Sequence, residues 1–463
     1  MGFKKCTDAD LDFLRKIVSS ERVISGSDIH DDFFHDEMPE YGRFAPDVLI
    51  HVKSTDEVSE IMKYASAENI PVTPRGAGTG LCGGCVATRG GIMLSFTEMN
   101  QILEVDESTL TAIVEPGVLL MQLAEHLKEY NLLYPPDPGE KTATIGGNSM
   151  TNAGGMRAVA LGVTRDYIKG MEVVLADGSV VTLGGETVKN SSGYSLLHLM
   201  IGSEGTLGIV TKLFLKLIPL PEKFVSLLVP YGSIQKCLSC VPKLLAVSPV
   251  TLEFAERAVL IEAERYLGKQ FPHNTANAYL IISFYGKSRE SLVPQLDAAT
   301  EICLAGEAID VFISDTSDRQ DAMWSARGAF LEAIKSSTHA MDECDVVLRI
   351  DKIAPFITYT NELSDKYNVR IRSFGHAGDG NLHIYVCKDD MKDEVWDKTV
   401  LEVMDLLYIR ALEMGGQVSG EHGIGHAKRK YLHESLGDVQ ISIMRKIKNA
   451  FDPAGILNPG KIV

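Results

Sequence analysis

The chain has 463 residues and sets 45 Lys+Arg against 62 Asp+Glu, a formal charge of −17. That length exceeds one hydrophobic core and predicts two or three domains, and 45% apolar with 23% charged residues is a globular composition rather than a disordered one. An acidic chain without a basic run excludes nucleic acid and anionic membrane surfaces as partners. No apolar run approaches the roughly eighteen residues of a transmembrane helix. The first ten residues lack the apolar core of a signal peptide, and Cys6 breaks the myristoylation pattern, so the expected location is cytoplasmic. Eight cysteines suit a reducing compartment.

Asp47 to Val52 reads as a strand, and Ser54 to Glu57 as a capping box opening a helix with Val58, Ile61, Met62 and Ala65 on its buried face. Asn69 ends that helix, and Ile70 to Thr73 begins the next strand. A second unit follows: Thr111 to Val114, a helix face of Leu120, Leu123 and Leu127, then Leu132 to Tyr134. Two cysteine pairs have CxxC spacing. Cys82 and Cys85 stand among loop glycines, and Cys237 and Cys240 lie at i, i+3 in a helical stretch from Ser233 to Val247, so both read as packing residues rather than metal ligands. Cys303, Cys344 and Cys387 read as isolated core residues.

Between Pro74 and Gly208 glycine is dense, yet strand-like apolar runs separate its clusters. Glycine there means backbone passing close to something, or taking φ > 0. Gly78–Thr79–Gly80–Leu81–Cys82–Gly83 matches GxGxxG after a strand, with Glu98 about twenty residues on, as in a dinucleotide-binding Rossmann unit. The residues after Gly83 are β-branched and interrupted by Gly90 and Gly91, so the required helix is not expected and the nicotinamide reading is rejected. One large anionic cofactor touched by several loops fits better. Pro219 and Pro221 mark a boundary, glycine returns at 375–383 and 419–425, and 451–460 is a string of turn residues that needs a surface to dock on.

Taken in order, Pro74 to Leu81, Pro135 to Pro138, Thr144 to Gly147, Asn152 to Gly155, Gly202 to Ile209 and Asp452 to Pro459 resemble the FAD-linked oxidase family, the vanillyl-alcohol-oxidase-like flavoproteins, in the branch holding D-lactate dehydrogenases and the D component of glycolate oxidase. The resemblance covers nearly the whole chain. It implies an α+β fold: a two-subdomain FAD-binding domain over 1–220, an α+β cap with an antiparallel sheet over 221–415, and a segment over 416–463 returning to the FAD domain. It implies non-covalent FAD, with Arg75, Gly76, Ala77, Gly78, Thr79 and Gly80 as the pyrophosphate loop. Pro136, Asp137, Thr144, Gly147, Asn148, Asn152, Ile209 and Asn458 would line the rest. Ala160–Leu161–Gly162 departs from the usual Lys–Tyr–Gly, and Cys82 and Cys85 replace the usual Ser and Ala.

A second constellation lies in the later glycine loops. His376 precedes a strand in which Leu382, Ile384 and Val386 share one face, so His383 points to the other. Glu421 and His422 follow forty residues on. Two imidazoles and a carboxylate make a plausible metal site with open positions. The resemblance implies a divalent metal (Zn, Fe or Mn) on His376, His383 and Glu421, His422 as base, and Asn381 orienting substrate or ligand. A 2-hydroxy-acid substrate needs a fixed cation for its carboxylate. Trp324–Ser325–Ala326–Arg327 resembles the family's Trp-x-x-Arg step, and the resemblance makes Arg327 the candidate against the plainer reading of a surface helix arginine. Arg349 stands where relatives have proline. Glu343 lies near where dicarboxylate binders carry lysine, which favours a monocarboxylate such as D-lactate over D-2-hydroxyglutarate, with glycolate the other alternative. No cluster-binding cysteine set is present, so the acceptor is a partner protein, a quinone or a dye-like small molecule. The resemblance favours electron-transferring flavoprotein, alpha and beta subunits. The rival of another class is a non-catalytic flavoprotein that serves electron transfer alone.

Overall fold

Ser54 starts the first long helix by accepting the Glu57 N–H at 3.2 Å. The expected reciprocal bond is made elsewhere: the Glu57 carboxylate accepts the Lys53 N–H at 2.8 Å and a fork from Arg22 at 2.8 and 2.6 Å. Helix Thr55–Glu68 buries Val58, Ile61, Met62 and Ala65 and stops at Asn69, whose φ of 54° is left-handed. It joins strands Val48–His51 and Val72–Arg75, both parallel to Ile92–Ser95, which lies between them. Val23–Ser25 completes this four-stranded sheet antiparallel to Val48–His51. Turns, and no helix, connect Gly83 to Ile92, which removes the Rossmann reading on structural grounds.

A second, five-stranded antiparallel sheet runs in the order Ile102–Asp106, Thr111–Val114, Ile209–Lys216, Ile168–Val174 and Val180–Gly184. Leu120, Leu123 and Leu127 of helix Leu120–Lys128 pack into its core with Leu213 and Leu215. In this computed structural model, which describes residues 2–270 and 275–463, both sheets belong to one compact unit made of the residues up to 154, 163–220 and 421–463. We call it unit 1.

The turn-rich C-terminal segment finds its surface within unit 1. The Val72 N–H donates to the Ile456 carbonyl and the Asn458 N–H to the Val72 carbonyl, both at 2.8 Å, so the tail pairs with the strand at the edge of the four-stranded sheet. Buried Asp452 accepts the N–H groups of Ile456 at 3.1 Å and Leu457 at 2.8 Å and pairs with Lys448. The preceding helix, Arg429–Phe451, is broken at Gly437, whose φ of 72° and ψ of 170° lie outside any helix.

Unit 2 comprises 155–162 and 221–420. Its seven-stranded antiparallel sheet runs Phe312–Ser314, Lys223–Tyr231, Ala278–Gly286, Thr251–Glu256, Arg370–His376, Asn381–Cys387, Met341–Val347. Near-continuous burial along Ala278–Gly286 and Asn381–Cys387 shows both faces covered. Cys344 and Cys387 are core residues as expected, whereas Cys303 is not isolated. It lies with Cys240 against the buried Tyr231 hydroxyl, and Cys240 Sγ fills the space a Cβ on Gly306 would need, 2.1 Å away.

Asp452→Ala leaves two tail N–H groups without their acceptor and Lys448 without its counter-charge, with only the carbonyls of Thr206 and Leu457 to accept from it. It should destabilise unit 1 by about 3 kcal/mol, seen as an earlier transition in urea, whereas the exposed Asp438→Ala should leave the midpoint in place.

Candidate active site

In unit 1 strand Val72–Arg75 runs directly into the loop from Gly76 to Gly80, which walls a cavity. The loop tolerates no side chains at two points. A Cβ on Gly76 would sit 2.3 Å from Thr144 Oγ1, and Gly78 has a φ of +84° with Arg75 Nη2 only 2.1 Å from its would-be Cβ. Thr144, Gly147, Asn148 and Ile209 line the cavity as well, and Thr144 Oγ1 accepts the Gly147 N–H at 3.1 Å. Asn148 is buried there, and its Nδ2 has no acceptor within the described protein. The Arg75 side chain is committed elsewhere: its guanidinium donates to the carbonyls of His35 at 2.9 Å and Asp32 at 2.8 Å, so what the loop offers is backbone. Pro136, Asp137, Asn152 and Asn458 are not among the lining residues. Asp137 pairs with Lys141, Asn152 Oδ1 accepts the Arg165 N–H at 3.0 Å, and Asn458 Nδ2 donates to the carbonyls of Gly84 and Glu204, each at 2.7 Å.

Glu421 and His422 also line this cavity. Their loop is held by Glu204, a buried carboxylate on a residue with φ 51°. Glu204 Oε1 accepts the Ile424 N–H and Oε2 the Gly425 N–H, both at 2.7 Å. Burial raises its pKa and these two bonds only partly oppose the shift. His422 Nε2 lies 3.8 Å from Glu421 Oε1. Nearby, Asp36 accepts the N–H groups of Met38 at 3.0 Å and Gly83 at 2.6 Å, and burial pushes its carboxyl up to about 6.

The other predicted residues belong to unit 2. Arg327 is no surface arginine: it is buried on helix Ser317–Gly328, its Nε 2.8 Å and Nη2 2.6 Å from Glu253 Oε2, with its guanidinium 5.4 and 4.9 Å from the ring centres of Phe330 and Phe374. The second oxygen of Glu253 accepts from His376 Nδ1 at 2.7 Å, since a carboxylate can only accept. Burial alone would raise the Glu253 pKa, but the charges of His376 and Arg327 outweigh it and the net shift is downward. With Nδ1 tied, His376 Nε2 faces His383 Nε2 at 3.4 Å. His383 Nδ1 stands 3.8 Å from both Glu343 Oε1 and Asp345 Oδ1. Asn381 donates from Nδ2 to Asp345 Oδ1 at 2.7 Å, and Asp345 Oδ2 accepts from Ser419 Oγ and Gly420 N–H at 2.9 Å each. Asn381 therefore orients a carboxylate of the protein.

Sequence reasoning brought His376 and His383 together correctly but missed Glu253, Glu204 and Asp345. Glu253 had a signal, one acid inside the otherwise apolar or β-branched stretch from Val250 to Ala255; Glu204, in a Gly–Ser loop, and Asp345, one of three acids in its strand, had none. Two imidazole nitrogens at 3.4 Å, one fixed through its second nitrogen by a buried carboxylate, are a donor set that fits a divalent cation. The glycine cradle, with the lone Asn148 donor beside it, fits a phosphorylated cofactor.

Comparison with known proteins gives the same class. An FAD binding domain model matches residues 46–184, and the C-terminal domain model of FAD linked oxidases matches 220–462. The chain is 50% identical over 454 residues to D-lactate dehydrogenase of Anaerostipes hadrus, covering 96% of each. It is 39% identical over 449 residues to glycolate oxidase subunit GlcD of Bacillus subtilis, covering 95% of each. In fold it resembles p-cresol methylhydroxylase with substrate bound, at a TM-score of 0.83 and 19% identity over 100% of this chain and 98% of that one. The chain belongs to the FAD-linked oxidase family. It is an FAD-dependent oxidoreductase acting on a CH–OH group.

Two outcomes follow. An L residue at φ > 0 costs about 1–2 kcal/mol, and at Gly78 it must also displace Arg75, so Gly78→Ala should weaken FAD retention roughly tenfold or more, read from flavin absorbance after desalting. The folded protein holds the Asp36 proton more tightly than the unfolded chain does. This group's contribution to stability is therefore full below about pH 4 and is lost as the pH rises through about 6. Between pH 4 and pH 7 the urea midpoint of the parent protein should fall by more than that of Asp36→Asn, whose lost acceptor for the Met38 or Gly83 N–H costs the same at both pH values.

Proposed function

We propose that the protein oxidises a D-2-hydroxy acid, D-lactate first, to the 2-oxo acid. The observation that carries this reading is the buried Arg327, a fixed cation held against two aromatic rings next to an imidazole pair, in a chain that is otherwise strongly acidic. The name of the relative from Anaerostipes hadrus supports D-lactate. The buried carboxylates Glu343 and Asp345 beside His383 disfavour a dicarboxylic substrate.

When bound, FAD accepts the hydrogen of the substrate carbon together with its two electrons. The loop from Gly76 to Gly80 with Thr144, Gly147, Asn148 and Ile209 would hold it, through backbone donors and the Asn148 amide. A divalent cation, when bound, lowers the pKa of an alcohol. His376 and His383 would supply two of its ligands, and Glu421, carried by unit 1, is the third in the proposed set. Glu253 occupies the Nε–Nη2 edge of Arg327, which leaves the Nη1 side to bind the substrate carboxylate and fix its orientation. His422 takes the hydroxyl proton as general base. Electrons leave through a partner, for which we propose electron-transferring flavoprotein. An acceptor outside the chain is favoured by eight cysteines that are all free, none of them in a cluster of metal-ligand groups among the described residues.

D-lactate should bleach the flavin anaerobically, L-lactate should not, and a chelator should slow the reaction; an unbleached flavin overturns the reading. His422→Asn should cut the rate of flavin reduction by about 10²–10⁴ while FAD stays bound. Purified electron-transferring flavoprotein should reoxidise the reduced protein without oxygen, and a flavin that stays reduced in its presence rejects that partner.

A further inference from the structure

The carboxylate of Glu253 has no exposed atom, and each of its oxygens has a different client. Oε2 takes the Nε and Nη2 of Arg327, and Oε1 takes Nδ1 of His376. The strand that carries it, Thr251–Glu256, pairs directly with the strand that ends at His376, Phe254 opposite Gly375, so the placement is set by sheet register rather than by a loop. We propose that Glu253 is a positioning residue that couples the two recognition elements of unit 2, holding the guanidinium for the substrate carboxylate and the imidazole for the cation with one side chain. This rests on the reading under Proposed function.

The physical logic is one of matched donors. Both clients of Glu253 are N–H donors, and an ionised carboxylate is the one side-chain group that accepts on both oxygens. With its Nδ1–H pinned, His376 keeps the tautomer whose Nε2 lone pair faces His383. The same charge balances Arg327 and prevents its guanidinium from swinging toward Phe330 or Phe374 alone. A glutamine of the same shape cannot serve both clients. If its oxygen meets Arg327, its NH₂ faces His376 Nδ1 and forces the proton to Nε2. If its oxygen meets His376, its NH₂ faces the guanidinium, donor against donor.

The test uses the full-length holoprotein and two binding readouts that need no turnover: retained divalent metal after dialysis against chelator, by mass spectrometry, and pyruvate affinity, by perturbation of the flavin spectrum. Glu253→Gln should lose one of the two, by at least about tenfold, according to which client the amide oxygen keeps, with FAD content unchanged because the cofactor cradle lies in unit 1. The double variant Glu253→Gln/Arg327→Met frees the amide oxygen for His376. Metal retention should stand near that of the parent protein while pyruvate affinity is lost, a pattern that a general packing defect does not produce. If Glu253→Gln keeps both properties, or the double variant fails to retain metal, the coupling is overturned. If Glu253→Gln does not fold, the double variant, which removes the buried charge mismatch, decides alone. A parent protein that retains no metal and binds no pyruvate would instead refute the functional reading on which this rests.

Discussion

Glu204 ties together four stretches of chain that are far apart in sequence. Its two oxygens hold the N–H groups of Ile424 and Gly425, its carbonyl receives the amide of Asn458, and the same Asn458 amide donates to Gly84. A carboxylate buried this deeply persists only where donors surround it, because desolvation otherwise costs several kcal/mol. The fold supplies those donors from backbone, and so the loop bearing Glu421 and His422 has one conformation rather than many. Cavity shape, loop geometry and tail position in unit 1 all depend on that group.

Unit 2 repeats the device with different chemistry. Glu253 and Asp345 are internal carboxylates that serve protein donors: Arg327 and His376 for the first, Asn381 and Ser419 for the second. This gives the −17 charge a second meaning. The excess acid is not all solvated surface: part of it is buried where it fixes cations and imidazoles, and the fixed cation Arg327 is stable in the interior because of it.

The legible part of the sequence was the part in which residue type alone dictates backbone. Helix Thr55–Glu68 follows from Ser54, an apolar stripe and a left-handed Asn69. The cradle follows from glycines whose Cβ would strike Thr144 or Arg75, and the absence of a helix after Gly83 follows from β-branching. Partnerships across the fold were not legible, since an acid in a strand does not announce its client. Glu253 needs the register that sets Phe254 opposite Gly375, Cys303 needs the packing that brings it to Tyr231, and Asn381 needs the strand pairing that puts Asp345 beside it. Arg75 was named as the start of the pyrophosphate loop, and that its guanidinium turns to the carbonyls of His35 and Asp32 was not legible.

The order in which a ribosome releases this chain gives the edge pairing of Val72 with Ile456 and Asn458 a further meaning. Strand Val72–Arg75 ends its sheet and has no other neighbouring strand on that side among the described residues. The residues that cover it, and Glu421 and His422 in the cavity wall, emerge only after the whole of unit 2. At ordinary translation speeds roughly half a minute separates the two. Throughout that interval a bare strand edge, the sort of surface that recruits other chains, sits beside an unfinished flavin pocket. Protection of that edge falls to chaperones or to rapid completion of the polypeptide.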